Sequence, residues 1–528
     1  MDKDTGRKIR RKRKLDIAPL EEALEPSEGM DNNLSRDLDK NKAILKQLFK
    51  DCSDVVFRDL KADRNTYGLL VYIDGMVKSE ELHNNFLFPL LPQLLNGEKP
   101  TVKTDLLDES NFSLSQLSRV KLYSDVVDNI LGASSIVLVD GYDEAVVINV
   151  IGGNRRGVEE PTTESVIRGP REGFTEGIRT NTGLLRFRIK SPRLKIEAFK
   201  LGEHTRTNVA LAYIKDIADP KVVEQARNRL TSIHTDSILE SGYIEELIED
   251  EPYSPFPQLQ YTERPDTVAA SLLEGKFAIF VDGTPFVLLA PITFWEMMQA
   301  SEDYYERYVI VNFIRWLRYG LLIMALFLPA IYIAVLTFHP DMLPTTLLQS
   351  IAAARESIPF PALVEALVME IAFEALREAA VRLPKTVGQA VSILGALVIG
   401  QSAVQAGIVS APMVIVVALT GIASFAIPKF NVAISIRLLR FPLMVLGSTF
   451  GLFGIVIGGL LISAHLCHLR SFGIPYLSGI APYKKHELKD IFIRVPWWKM
   501  ILRPTSYSPL NRKRMKKGMK PSPPQSGE

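Results

Sequence analysis

The sequence predicts a multi-domain membrane protein: an N-terminal cytosolic α/β region of two subdomains, followed by an all-α membrane domain of four to five helices. Three observations carry this expectation. Residues 1 to about 315 mix charged and apolar residues as globular domains do, whereas 319–466 is mostly apolar. Two β-branched segments, SSIVLVDGYDEAVVINV and KFAIFVDGTPFVLLAP, each carry an Asp-Gly turn signal. Charge-free runs in the second half match the ~30 Å hydrocarbon thickness of a bilayer.

Bulk properties agree. The 528 residues are 47% hydrophobic and 23% charged, with a mean hydropathy of +0.10, high for a soluble protein and low for a wholly embedded one. A net charge of +2 gives no reason to expect a nucleic-acid partner. The basic residues concentrate at the ends, in GRKIRRKRK (6–14) and NRKRMKKGMK (511–520). Such runs read either as solvated tails or as attraction to anionic membrane lipids, worth ~1 kcal/mol per residue near the surface. Both readings place them in the cytoplasm. The two cysteines, Cys52 and Cys467, offer no disulfide framework. The basic N-terminus lacks an apolar stretch behind it, so the N-terminal region is expected to stay inside.

In order, residues 1–40 read as a disordered basic lead and 41–150 as the first α/β subdomain, containing the first hairpin and a faint echo of it in YIDG. Residues 151–195 form a Gly/Arg-rich loop region without a Walker or GxGxxG pattern, read as a contact to a neighbouring subunit or to the membrane domain. Residues 196–310 form the second subdomain. Spans are expected at 319–338, 387–407, 411–428 and 441–466, with KFNVAISIRLLRF between the last two lying in the interface. Residues 467–528 read as a basic cytoplasmic tail. Arg307, Arg315 and Arg318 before the first span orient the N-terminal domain to the cytoplasm.

Residues 362–383 are the exception among the apolar runs, a charged helix that is either re-entrant or transmembrane. At 100° per residue, Glu370, Glu374 and Glu378 form one stripe flanked by Arg377 and Arg382, while Glu365 points roughly the other way. Three readings stay open: an interfacial helix facing water, an internally paired membrane helix, or ionisable groups facing a water-filled path. On the next span Gln389, Ser392, Ala396, Gly400, Ala403 and Gly407 share an arc of about 80°. That face suits close helix packing and, repeated around a ring, a narrow wettable pore. Gln401 and Gln405 lie on another face. No catalytic constellation emerges and no enzyme is expected. His465, Cys467 and His468 sit at a span end without further ligands, so neither metal nor cofactor is expected.

NRRGVEEPTTESVIRGPREGFTE, together with ALREAAVRLPKTVGQAVSILGALVIGQSAVQAGIVSAPMVIVVALTGIASF, resembles the GerA family of spore germination proteins, in particular the A subunit of nutrient germinant receptors. HPDMLPTTLLQSIAAARESIPFP and YIDGMV fit the same pattern, and the resemblance runs from about residue 40 to about residue 500. REAAVRLP carries alanine where the family pattern has glycine. The resemblance implies a multi-pass protein of the endospore inner membrane, partnered by a transporter-like B subunit and a lipoprotein C subunit. It also implies a homo-oligomeric ring, taken as a pentamer, that forms a germinant-gated cation channel. The Gln389–Gly407 face would line the conduit and the glutamate stripe would attract cations at its mouth. A non-conducting scaffold for the germinant-binding partner is the alternative; a secondary transporter is disfavoured by the lack of inverted halves.

Overall fold

The computed structural model describes residues 32–62, 65–84, 117–152, 160–161, 163–384, 395, 398–485, 487–508 and 510–522. Most of the expected 1–40 lead therefore lies outside the described residues. Its last part does not read as a lead: Leu34 is buried and a helix begins at Leu38.

The N-terminal region is two copies of one α/β plan. In the first, α1 (Leu38–Leu48), β1 (Val55–Ala62), β2 (Asn65–Ile73), β3 (Leu117–Val120), α2 (Tyr123–Leu131), β4 (Ser135–Val139) and β5 (Ala145–Ile148) build an antiparallel sheet ordered β1-β2-β4-β5-β3. The second uses α3 (Ile178–Arg188), β6 (Leu194–Leu201), β7 (Thr207–Ile214), α4 (Pro220–Thr231), α5 (Ser241–Ile248), β8 (Gln260–Thr262), α6 (Pro265–Glu274), β9 (Phe277–Val281) and β10 (Val287–Ala290). Its sheet order, β6-β7-β9-β10-β8, is the same plan again.

The Asp-Gly turns explain why the plan repeats. Gly141 and Gly283 take φ of 85° and 91°, a region that only glycine enters freely. Each donates its N–H to the chain ahead of the first helix of its copy, to Arg36 O (2.9 Å) and Glu176 O (2.8 Å). The aspartate beside each glycine then accepts from that helix's first N–H: Asp140 from Leu38 (3.3 Å), Asp282 from Ile178 (3.1 Å). An asparagine one turn into each helix closes the same loop in both copies. Asn41 bonds Ser35 N and O at 2.9 and 2.6 Å, and Asn181 bonds Thr175 N and O at 2.8 and 2.6 Å.

A buried bidentate ion pair joins the copies: Arg186 Nε and Nη2 donate to Asp54 Oδ2 and Oδ1 at 2.6 and 3.0 Å. Beside it, Ser53 N donates to Ile196 O and Ile196 N to Asp51 O, both at 2.9 Å. The expected 151–195 loop region contains α3 and straps the second copy: buried Arg264 donates to Glu164 O and Pro170 O. Glu164 in turn pairs with Lys429 at the base of the helical region.

The helical region starts earlier than expected. Helix α7 spans Tyr308–Phe338, 31 residues, because Arg315 and Arg318 are neutralised inside the fold. Asp303 holds both at 3.0 Å, and Asp490 takes Arg315 at 3.0 Å. Next come α8 (Thr345–Arg355), α9 (Ala362–Arg382), a helical stretch over 398–405, α10 (Ala411–Phe425) and α11 (Phe430–His468). By length and composition, α7 is long and apolar enough to cross a membrane, and so is α11 when its 39 residues are taken together.

The 39-residue α11 is a folded-back pair of arms. Gly451 adopts φ 62°, ψ −146°. A Cβ on Gly454 would sit 2.3 Å from Leu446 O, and one on Gly458 2.5 Å from Leu443 Cδ2. In a continuous helix residues 446 and 454 would be ~12 Å apart, so 430–450 and 452–468 run antiparallel and touch through glycines. Ser435 on one arm and His465 on the other both bond the 254–255 loop, while the tip meets Phe338 and His339 at the far end of α7. The single span expected at 441–466 is thus the far half of one arm plus most of the other, and the interfacial segment expected before it is the root of the first arm.

Pairings fix the directions of the rest. Arg440 and Gly447 meet Ala325 and Ala330, so the first arm runs parallel to α7. Glu370 and Glu374 meet Arg440 and Arg437, so α9 runs antiparallel to that arm. Glu365 meets Ser410 and Arg377 meets Ser424, so α9 and α10 are parallel, and Gly395 beside Leu376 with Gly407 beside Ser357 shows the described part of the chain between them running the other way. Among the described residues the bundle therefore has six passes: α7, α9, the 398–410 return, α10 and the two arms. Its chain ends beside the α/β region where it began. The expected basic tail is instead packed there: Tyr476 donates to Pro257 O (2.8 Å), Tyr507 to Glu296 (2.9 Å), and Arg514 pairs with Glu274 (2.8 Å).

On α5, burial, then Glu249 and Glu240, push the Glu245 carboxyl up to about 7 from its ordinary 4.5. The folded state holds this proton where the unfolded chain has lost it, so stability falls as pH rises from about 4.5 to about 7. Glu245→Gln is expected to flatten that fall in a melting-temperature series of the detergent-solubilised protein, with little change at pH 4.5.

Candidate functional site

The charged helix α9 is the centre of the bundle's polar chemistry. Its exposure rises along the stripe: the side chains of Glu370, Glu374 and Glu378 are 1%, 31% and 64% exposed. Glu370 Oε2 accepts from Arg440 Nη1 at 2.5 Å. The same guanidinium's Nε donates to Ala325 O at 2.9 Å. Ala325 O is free because Pro329, four residues on in α7, has no N–H to give it. One arginine thus counters a buried carboxylate through one of its two oxygens and fills an orphaned helix carbonyl on a second helix.

Further along, Glu374 is shared by Arg377 (3.4 Å) and Arg437 (3.5 Å). Arg377 lies between the rings of Phe373 and Phe425, 5.0 and 4.7 Å from their centroids, and donates to Ser424 Oγ at 3.2 Å. Glu378 and Arg382 pair with each other at the exposed end, Nε to Oε1 2.8 Å. Glu365, off the stripe, is fully buried: it accepts from Ser410 N and Oγ at 3.0 and 2.8 Å and from Arg355 Nε at 3.0 Å.

Sequence reasoning found the stripe and its arginines on the same helix but missed Arg437 and Arg440. A signal existed. Arg437 and Arg440 are spaced i,i+3 and Glu370 and Glu374 i,i+4, which makes two antiparallel helix faces meet charge to charge.

Of the small-residue face, Gln389, Ser392 and Ala396 lie outside the described residues. Gly400 is buried, its Cβ position 3.5 Å from Val414 of α10. Ala403 is half-buried against the bundle core, and its carbonyl accepts from Ile408 N at 2.9 Å. Gly407, at φ 65°, ends the helix, with its N–H on Val404 O at 3.1 Å. The exposed face of this helix carries Val398, Gln401, Ser402 and Gln405. Among the described residues no cluster of histidine, cysteine or carboxylate groups could hold a metal ion.

Residues 43–506 match the protein family described as Bacillus/Clostridium GerA spore germination protein. The chain is 56% identical to the uncharacterized membrane protein YfkQ of Bacillus subtilis (strain 168) over 510 residues, 96% of this chain and 97% of that one. It is 47% identical to spore germination protein KA of the same organism, covering 93% and 90% of the two chains. Among solved structures, the N-terminal domain of the A subunit of the Bacillus megaterium spore germinant receptor GerK3 is similar at 36% identity, with a TM-score of 0.39, covering 50% of this chain and 98% of that one.

Removing Arg440 leaves Glu370 buried without its counter-charge, a change that typically costs about 3–5 kcal/mol. Arg440→Leu is expected to lower the melting temperature in detergent sharply, and Glu370→Leu with Arg440→Leu to recover part of the loss. Arg440→Lys should not restore wild-type stability, because one ammonium cannot reach both acceptors from a guanidinium's fork.

Proposed function

This chain belongs to the Bacillus/Clostridium GerA spore germination protein family, and on that premise we propose that it is the A subunit of a nutrient germinant receptor in the endospore inner membrane. The observation that carries this reading is the extent of the match, 93% of the chain against spore germination protein KA. The partners on this reading are a transporter-like B subunit, a lipoprotein C subunit and further copies of this chain in a ring, taken as a pentamer.

The six passes of the bundle become six membrane crossings, with the α/β region in the cytoplasm. An even number supports this orientation: it returns the basic 511–520 run to the side that holds Lys429 and the roots of α7 and α11, in keeping with the positive-inside rule. The 387–407 segment lines a cation conduit. Gly400 and Ala403 hold it to α10 and the bundle core, and Gln401, Ser402 and Gln405 face the lumen, offering donors and acceptors to hydrated ions. Glu370 and Glu374 keep α9 locked to α11 through Arg440 and Arg437, while Glu378 and Arg382 stand exposed at the cytoplasmic mouth. Germinant bound to the partner shifts a closed–open equilibrium of this ring.

Recording from the purified protein in planar bilayers, with and without its partners, tests the reading. Cation-selective current is expected, and Gln405→Leu with Ser402→Leu is expected to reduce it strongly while leaving assembly intact. Well-folded protein that carries no current under any of these conditions would support the non-conducting scaffold instead, a role to which the arginine-locked glutamates also lend themselves.

A further inference from the structure

All four tryptophans of the chain gather at the root of α7. Trp316 donates Nε1 to Phe492 O (3.0 Å), Trp497 donates to Tyr304 O (3.3 Å), Trp498 meets the Tyr308 ring (centroids 6.1 Å) and Trp295 meets Tyr319 (6.2 Å). The contacts come from an ordered register. Residues 491–498 run antiparallel along the first turns of α7, with Tyr319 on Ile491 O (3.1 Å) and Asn312 exchanging two bonds with Arg494 (3.3 and 2.7 Å).

The outer surface of this apron is apolar and open. Phe313 is 67% exposed, Trp316 57%, Ile493 48% and Trp497 43%, joined by Val309, Leu317 and Phe492. A contiguous patch of this kind needs a covering. Two further features say what covers it. At 1.5 Å per residue, 31 residues make α7 ~46 Å long, about 16 Å more than the ~30 Å hydrocarbon core, so about its first 11 residues lie at headgroup level. Tryptophan and tyrosine favour that level. From Ile491 to Ser522 the sequence has nine basic residues and no acidic one, and this run is tied to the patch by Arg514, 5.8 Å over the Trp497 ring. Such a surface suits neither water nor an identically charged copy of itself.

We propose that residues 491–498 and the root of α7 form a collar seated in the headgroup–acyl boundary of an anionic lipid leaflet, with the 512–520 basic run lying over the headgroups. The inference rests on the bilayer embedding proposed above. The C-terminal segment then links membrane and cytosolic parts, because Asp490, paired with Arg315 and accepting from Tyr304 at 2.7 Å, couples the collar to the α/β region.

The test uses full-length protein with a single tryptophan retained, the others changed to phenylalanine, in phosphatidylcholine vesicles with or without phosphatidylglycerol and with bromines placed shallow or deep on the acyl chains. Trp497 alone is expected to lose emission roughly twofold with shallow bromines, more than with deep ones, as for an interfacial ring, and to be quenched less when phosphatidylglycerol is omitted. Lys513→Glu/Lys516→Glu/Lys517→Glu should remove that lipid dependence. Trp316 alone reports the embedding of α7. Quenching of Trp316 without quenching of Trp497 overturns the collar, as does Trp497 emission that shifts on diluting the protein, which would mean that a second copy covers the patch. If neither is quenched, the embedding itself fails.

Discussion

Arg440 is where the helical region is held together. A membrane-length helix with proline in its interior carries an unpaired carbonyl, and a helix with glutamates on one face carries unpaired charge. Either alone is costly away from water. The Arg440 guanidinium, nearly inaccessible, reaches Ala325 O on α7 and Glu370 on α9 at once. Both defects are offset by one side chain from a third helix. That geometry sets the relative directions of α7, α9 and the first arm of α11, and Glu374 with Arg437 repeats the contact one turn on.

The second arm depends on a different constraint. Close approach of the two arms of α11 leaves no room for side chains at 454 and 458, so the Gly-rich run with the look of one flexible span is the seam of a hairpin. The reversal at Gly451 brings the chain back to the α/β region, where Ser471 bonds Gln258 O and the C-terminal segment packs under α6 and α7. An apparent tail thereby becomes part of the junction between the two halves of the protein. The same economy appears in the α/β region, where one Asp-Gly dipeptide makes a hairpin turn and caps a helix in each copy.

Much of this was legible in the residues. The division into a mixed and an apolar half, both hairpins, the Asp-Gly turns and the glutamate stripe follow from composition and period, which are local properties. The family pattern was also legible, because its motifs are long. What misled was also local. Arg437 and Arg440, at helical spacing among apolar residues, have the pattern of an interfacial helix, and a 26-residue run at 441–466 has the length of one span.

Neighbouring residues suffice to say that two similar α/β units precede an apolar helical region, and to which family the chain belongs. Hydrophobic period, turn chemistry and motif identity are all written within short windows. The packed fold was needed to settle which charges are neutralised, how many times the chain passes along the bundle, and which face of the 398–405 helix is open. Each of these depends on a partner distant in sequence or brought close by a reversal: Ala325 for Arg440, Leu446 for Gly454, Val414 for Gly400. Burial and pairing are set by what packs opposite a residue, and periodicity along the chain does not say which neighbour that will be.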